Sequence, residues 1–213
     1  YKRQPINIAD ARDYHLLSKE IEHINPDVII HLAAVSHANR SNKDPYSTFD
    51  HSLRTIENVL DIIKNKEIHL IYFSSSMVYG NFEGASVDEE KLCNPIGIYG
   101  SLKYAAEKII LGYNQVFGTK YTIIRPSALY GERCVSRRVG QAFIENALEG
   151  KNLNVNGNGD DSLDFTYIDD LVQGILLTIT NKNSINEIFN ITYGSARKPV
   201  SYTHLTLPTI RWV

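Results

Sequence analysis

The sequence predicts an α/β protein, a parallel sheet with helices on both faces. Three observations carry this. Val28-Ile29-Ile30-His31-Leu32, Leu70-Ile71-Tyr72-Phe73 and Tyr121-Thr122-Ile123-Ile124 are short apolar, largely β-branched runs, the pattern of strands buried on both sides. Longer segments between them carry apolar residues at helical spacing. The two kinds alternate at the interval of βαβ units, which places the strands parallel.

In chain order, Ile6-Asn7-Ile8 is a short strand candidate ending at Asp10. Asp13 to Ile24 has apolar residues at 14, 16, 17, 21 and 24, a helical period, and Asn25-Pro26 stops it. The run from Val28 follows. Asp44-Pro45 is a helix start, an N-cap before a first-turn proline. That helix is expected to reach about Asn65, with Phe49, Leu53, Ile56, Leu60 and Ile63 on one face. Leu70–Phe73 is a strand followed by Ser74-Ser75-Ser76, and a polar loop covers 81–98. Tyr99 to Phe117 reads as helix and Tyr121 to Ile124 as strand. Later elements are a helix from Val139 to Leu148, a turn-rich loop from Asn152 to Asp161, a helix from Asp169 to Ile179 and a strand from Ile188 to Ile191.

Composition narrows the function. The 213 residues are 43% apolar and 22% charged, with a formal net charge of −2, which gives no electrostatic basis for binding nucleic acid. The longest near-continuous apolar stretch, Val28 to Val35, is far short of the ~20 residues that cross a membrane. Two cysteines, Cys93 and Cys134, are too few for a disulfide framework, so a reducing, cytoplasmic setting is expected. Residue 1 is Tyr with no signal-peptide pattern after it, and the start is expected to be a cut or an incomplete gene. Val200 to Thr209, VSYTHLTLPT, resembles the translation of a DNA-library adapter, and residues 200–213 are set aside as non-native. A β-rich tail is the alternative.

The chemistry concentrates at Tyr99-Gly-Ser-Leu-Lys103. A spacing of four puts both side chains on one helical face. A free phenol titrates near ~10 and is a poor base at neutral pH. An ammonium beside it favours the phenolate. The pair opens the helix that follows a strand ending in Ser74-Ser75-Ser76, and a hydroxyl at such a strand end points into the crevice where open α/β sheets bind ligands. A surface Tyr–Lys pair is the alternative.

At these residues the chain resembles the extended short-chain dehydrogenases, the NAD-dependent sugar-nucleotide epimerases and dehydratases. The matching segments, in order, are ADARD (9–13), PDVIIHLAAVSH (26–37), FSSSMVYG (73–80), NPIGIYGSLKYAAEK (94–108), TIIRPSALYG (122–131) and LDFTYIDDLVQGI (163–175). The resemblance implies a Rossmann-like doubly wound parallel sheet, N-terminally truncated, with a small C-terminal substrate-binding region. Residues 1–125 would be an incomplete NAD-binding domain and 126–199 a partial substrate-binding region with late Rossmann elements.

It also implies roles. Ser75 matches the residue that hydrogen-bonds the sugar hydroxyl, Tyr99 the general base, and Lys103 the residue that binds the nicotinamide ribose and tunes Tyr99. Asp10 and Ala11 match adenine contacts, and Leu32, Ala33 and Ala34 the turn lining the dinucleotide. Pro126 falls at the nicotinamide end. Ser75, Ser76 and Met77, with Arg133 and Arg138, are the expected substrate contacts. The cofactor is NAD, with NADP left open, and no metal is called for. The expected partner is a nucleotide-sugar substrate, and a homodimer through helices 45–65 and 99–117 is implied. Alternatives stand beside these roles: a helix cap for Asp10, strand core for Leu32 to Ala34, and local backbone hydrogen bonding for Ser74 and Ser76.

The chain departs from the family in several places. The Gly-rich phosphate loop is absent, so these residues are expected to bind NAD poorly. His51 and Ala128 stand where many members have Asn, and Leu163 where many have Arg. Arg133, Arg137 and Arg138 are candidates to replace that phosphate contact, or they form a solvated basic helix start. HLAAVSHANRS is closest to the 4,6-dehydratases, but the Asp-Glu that those enzymes use for elimination is here Ser76-Met77. Met transfers no proton and Ser is too weak an acid. The expected reaction is therefore C4 epimerisation through a transient 4-keto sugar. A 4-ketosugar reductase, a 4,6-dehydratase and a non-catalytic dinucleotide-binding sensor remain alternatives. Cys93 and Asp88-Glu89-Glu90 are expected to lie in a solvated loop.

Overall fold

A computed structural model describes residues 6–36, 38–81, 84, 86–134, 139–154 and 160–198. The set-aside tail, Arg137 and Arg138 lie outside them. Four parallel strands form the main sheet in the order β1 (Val28–His31), β2 (His69–Phe73), β3 (Lys120–Pro126) and β6 (Glu187–Ile191). Side chains alternate across it. Leu70, Tyr72, Tyr121 and Ile123 face α4 (Thr55–Ile63) and α5 (Gly97–Phe117), where Ile56, Leu60, Ile63, Ala106 and Ile110 complete one core. Ile71 and Ile124 face α7 (Ile168–Thr180), packed by Leu171, Ile168 and Ile175. Helices thus cover both faces, as expected for a doubly wound sheet.

The predicted caps act as read. Asp13 accepts from Leu16 N–H to open α1 (Tyr14–Ile24), which ends at Asn25 in the left-handed conformation. Asp44 accepts from Ser47 N–H, with Pro45 opening α3 (Pro45–Phe49).

Three expectations change. Ile6 to Ile8 forms no strand: β1 pairs only with β2, no other described strand lies beside this stretch, and Ile8 is 96% exposed. The helix expected over 45–65 is α3, a π-helical turn (Asp50–Arg54) and α4 in sequence. The wider turn shifts the helical phase, so Phe49 is exposed while Leu53, Ile56, Leu60 and Ile63 are buried. Short elements also escaped the sequence: α2 (Ala38–Lys43), and the second sheet of β4 (Ala128–Tyr130), β5 (Leu163–Tyr167) and β7 (Ala196–Arg197). β4 and β7, of three and two residues, are too short to show a period, and all three strands are defined by their partners across the sheet. α6 (Val139–Leu148) has its predicted bounds. No helix among the described residues is long and apolar enough to cross a membrane.

Candidate active site

Because β1, β2 and β3 are parallel, their C-terminal ends open on one edge, the edge where doubly wound sheets bind ligands. Past β2, Ser75 opens a single 3-10 turn (Ser76–Tyr79), its Oγ accepting from Met77 N–H at 3.2 Å. The first turn of α5 packs on this turn through Gly100. A Cβ at position 100 would sit 2.8 Å from the Met77 carbonyl oxygen, so only glycine allows the approach.

This approach sets the first turns of α5, which carry Tyr99 and Lys103, beside the end of β2 and the turn that Ser75 opens. Lys103 Nζ donates to the carbonyl of Phe73, the last residue of β2, at 2.6 Å. It stands 5.9 Å from the Tyr99 ring centroid and 5.0 Å from that of Tyr72. Tyr72 stacks in turn on His31 at the end of β1, at 5.9 Å. Burial lowers the Lys103 ammonium to about 8, against a smaller opposing pull from Glu107. Burial also lowers His31 to about 4, assisted by the Lys103 charge, so it is neutral at pH 7.

The Lys103 shift carries a stability cost. Its charged form is disfavoured in the fold, so the penalty is complete below about pH 8 and fades as pH rises toward the unfolded value of 10.5. Such a shift corresponds to about 3 kcal/mol, less the hydrogen bond to Phe73 O. Lys103→Met is therefore expected to stabilise the protein by about 1–3 kcal/mol at pH 7. Urea unfolding from pH 7 to 10 checks this. Wild-type stability should climb toward the variant's, and parallel curves would contradict the assignment.

A second group lies toward β1. A cavity of about 730 Å³ is lined by Asp10, Ala11, Ala33, Ala34, Ser47, His51 and Thr55, among others. It collects four of the expected cofactor residues. Asp10 does not cap α1, since Asp13 does. Its carboxylate is instead clamped by Arg12, through the side chain and backbone N–H, which holds it down to about 2. Leu32 to Ala34 are not strand core: β1 ends at His31 and Leu32 is 65% exposed. His51 sits on the π-turn with Nδ1–H donating to Ser47 O at 2.7 Å. Thr55 bonds Ala33 O at 3.0 Å, tying the turn after β1 to the helix. The small side chains of Ala9, Ala11, Ala33 and Ala34 leave room for a planar base or a ribose, so these residues fit part of a dinucleotide.

Other expected positions scatter. Pro126 ends β3, and Arg133 is exposed on the turn after β4, with φ +62°. With that positive φ, Arg133 is itself outside helical conformation. Ser76 is half-buried and Met77 exposed beside the Ser75 turn. The hydroxyl of Ser74, expected to bond backbone locally, is instead buried without a partner, and Ser75 makes the local bond.

Sequence reasoning missed a buried ionic network under this edge. Arg125 donates to both Glu107 oxygens, at 3.0 and 2.7 Å, and to Tyr79 Oη at 2.8 Å. Arg125 is 3% and Glu107 1% exposed. The available signal was Glu107 one turn beyond Lys103 on the buried side of a helix, opposite an arginine inside a strand.

Comparison with known proteins bears on this geometry. The family model described as "NAD dependent epimerase/dehydratase family" matches residues 2–192. A Methanocaldococcus jannaschii protein with the provisional name UDP-glucose 4-epimerase is 32% identical over 201 residues, 86% of this chain and 65% of its own. A dTDP-D-glucose 4,6-dehydratase of Dictyostelium discoideum is 28% identical over 197 residues, covering 87% of this chain and 44% of its own. The crystal structure of UDP-glucuronic acid 4-epimerase from Bacillus cereus, in complex with UDP-glucuronic acid and NAD, superposes with a TM-score of 0.80 at 31% identity, over 86% of this chain and 59% of that one. The chain thus spans about two thirds or less of these relatives' lengths. With its sheet order, its Tyr–Lys pair at the strand edge and these matches over most of its length, the chain belongs to the NAD-dependent epimerase/dehydratase family.

Proposed function

We propose that this chain is part of an NAD-dependent C4 epimerase acting on a nucleoside-diphosphate sugar through a transient 4-keto intermediate. The observation that carries the reading is the Tyr99–Lys103 pair anchored on Phe73 O and packed against a turn in which Ser76 and Met77 include no acid or base able to drive elimination. NAD, when bound, supplies reversible acceptance of the hydride at C4. Tyr99 takes the proton of the C4 hydroxyl and later returns it. Ser75 hydrogen-bonds that hydroxyl and orients it. Lys103 holds the nicotinamide ribose and keeps positive charge beside the phenol, which favours its anion.

Asp10, Ala11, Leu32, Ala33, Ala34 and Pro126 hold the dinucleotide, and Ser76, Met77 and Arg133 face the sugar diphosphate. Residues 1–125 form the incomplete NAD-binding domain, with Ser75 to Met77 at its substrate edge, and 126–199 a partial substrate-binding region that still carries late Rossmann elements. The helical run beginning at Pro45 and α5 form the homodimer contact.

Expression of the full reading frame, followed by a mass-spectrometric and NMR screen of UDP-, GDP-, CDP- and dTDP-sugars, tests the reaction. A C4 epimer of unchanged mass supports it, whereas a product lighter by one water would make it a dehydratase. Among the described residues, no Gly-rich turn joins a strand to a helix N-terminus where it could hold a pyrophosphate. Titrating this chain with NAD is expected to show affinity weaker than micromolar, and micromolar binding would refute this.

A further inference from the structure

The acidic stretch before Tyr99, expected to be solvated, is tied down at several points. Glu89 Oε1 accepts from the Asn190 backbone N–H at 2.6 Å, and the Asn190 side-chain amide donates to Val87 O at 3.4 Å. Arg125 Nη1 donates to Glu89 O at 3.4 Å and to Tyr79 Oη at 2.8 Å, and the Tyr79 hydroxyl donates to Asn190 Oδ1 at 2.8 Å. Arg125 is fixed by Glu107. Further along, Gly80 lies so close to the Asn94 carbonyl that a Cβ there would fall 1.9 Å from its oxygen. Segment 87–94 is thus bound to β3, β6 and the Ser75–Tyr79 turn.

This matters because α5 does not cap itself. Its N-cap position is Ile96, which makes no side-chain hydrogen bond, and Ile98 N–H is satisfied from outside by Asn42 Oδ1. An uncapped helix start frays unless something else holds it. Tyr99 is the third residue of that start.

We propose that Glu89 and Asn190 are positioning residues, clasping the loop to the ends of β3 and β6 and so holding the first turn of α5, with Tyr99, against the Ser75–Tyr79 turn. Neither residue transfers a proton. The role rests on Tyr99 being the proton-transfer residue. A catalytic group displaced by an ångström loses rate while remote ligand contacts survive.

The test compares Glu89→Ala with Glu89→Gln, which keeps an oxygen acceptor for the Asn190 N–H, in the full-length protein. Hydrogen exchange of residues 86–98 is expected to quicken at least tenfold in the Ala variant, with β2 and β3 unchanged. Its kcat should fall by about 10- to 100-fold at unchanged NAD affinity, and the Gln variant should recover to within about threefold of wild type. Unchanged exchange in the Ala variant overturns the clasp whatever the reaction is. Faster exchange with wild-type kcat, or no recovery with Gln, overturns the positioning role. A wild-type protein that turns over no nucleotide sugar overturns the epimerase reading, and the exchange comparison still decides the clasp.

Discussion

Replacing Tyr99 with Phe is expected to lower turnover by about 10²- to 10⁴-fold while leaving the fold and NAD affinity intact. The substitution removes one oxygen from a half-buried ring, so packing barely changes. What is lost is the hydroxyl proposed to take and return the C4 proton. Lys103 cannot replace it, because its ammonium is held on Phe73 O and is cationic at pH 7. Ser75 cannot either: an alcohol is a weak acid and a weak base, and this one already accepts from Met77 N–H. The measurement is kcat and kcat/KM for the sugar identified by the screen, with NAD affinity determined alongside. A Phe variant with wild-type turnover would end the epimerase proposal. A dinucleotide-binding sensor would be indifferent to the change.

The second large effect concerns stability. Glu107→Ala is expected to cost about 3–5 kcal/mol, because it leaves the Arg125 guanidinium buried without its counter-charge. Burial by itself disfavours the charged Arg125, and the bidentate bond to Glu107 outweighs it, so the guanidinium stays firmly protonated. Remove the carboxylate and, among the described residues, Tyr79 Oη and the Glu89 carbonyl are the acceptors that remain. The pair is not expected to be worth its apparent cost when both members go. Glu107→Leu with Arg125→Met should be less destabilising than the two single changes added together, since no charge is then stranded. Urea midpoints of the two single variants and the double variant close the cycle. A single-variant cost below about 1 kcal/mol, the range of exposed pairs, would contradict the buried reading.

Much of the site was legible in the chain because it depends on local rules. The four-residue spacing of Tyr99 and Lys103, the serines after an apolar run, and the Asp44-Pro45 cap all act within a few residues, where helix and strand periods set direction. The acidic run divides: Asp88 and Glu90 are exposed, as a solvated loop requires, whereas Glu89 meets the backbone N–H of Asn190, 101 positions away in the chain, a contact that no local pattern reveals. Arg125 and Glu107 are likewise invisible as a pair from one sequence. An arginine in a strand and a glutamate on a helix meet only once β3 and α5 pack.

By itself, then, the order of apolar runs and caps determined an α/β sheet with a phenol and an ammonium at the C-terminal edge of its strands. Tertiary structure decided the rest: that Ile6 to Ile8 stays unpaired, that the helix from Pro45 widens into a π-turn beside the cavity, and that a distant asparagine holds the loop before Tyr99. The reason is range. Backbone periodicity is written in neighbouring residues, whereas a ladder partner, a buried counter-charge or a clasp exists only after distant segments have been brought within hydrogen-bonding distance.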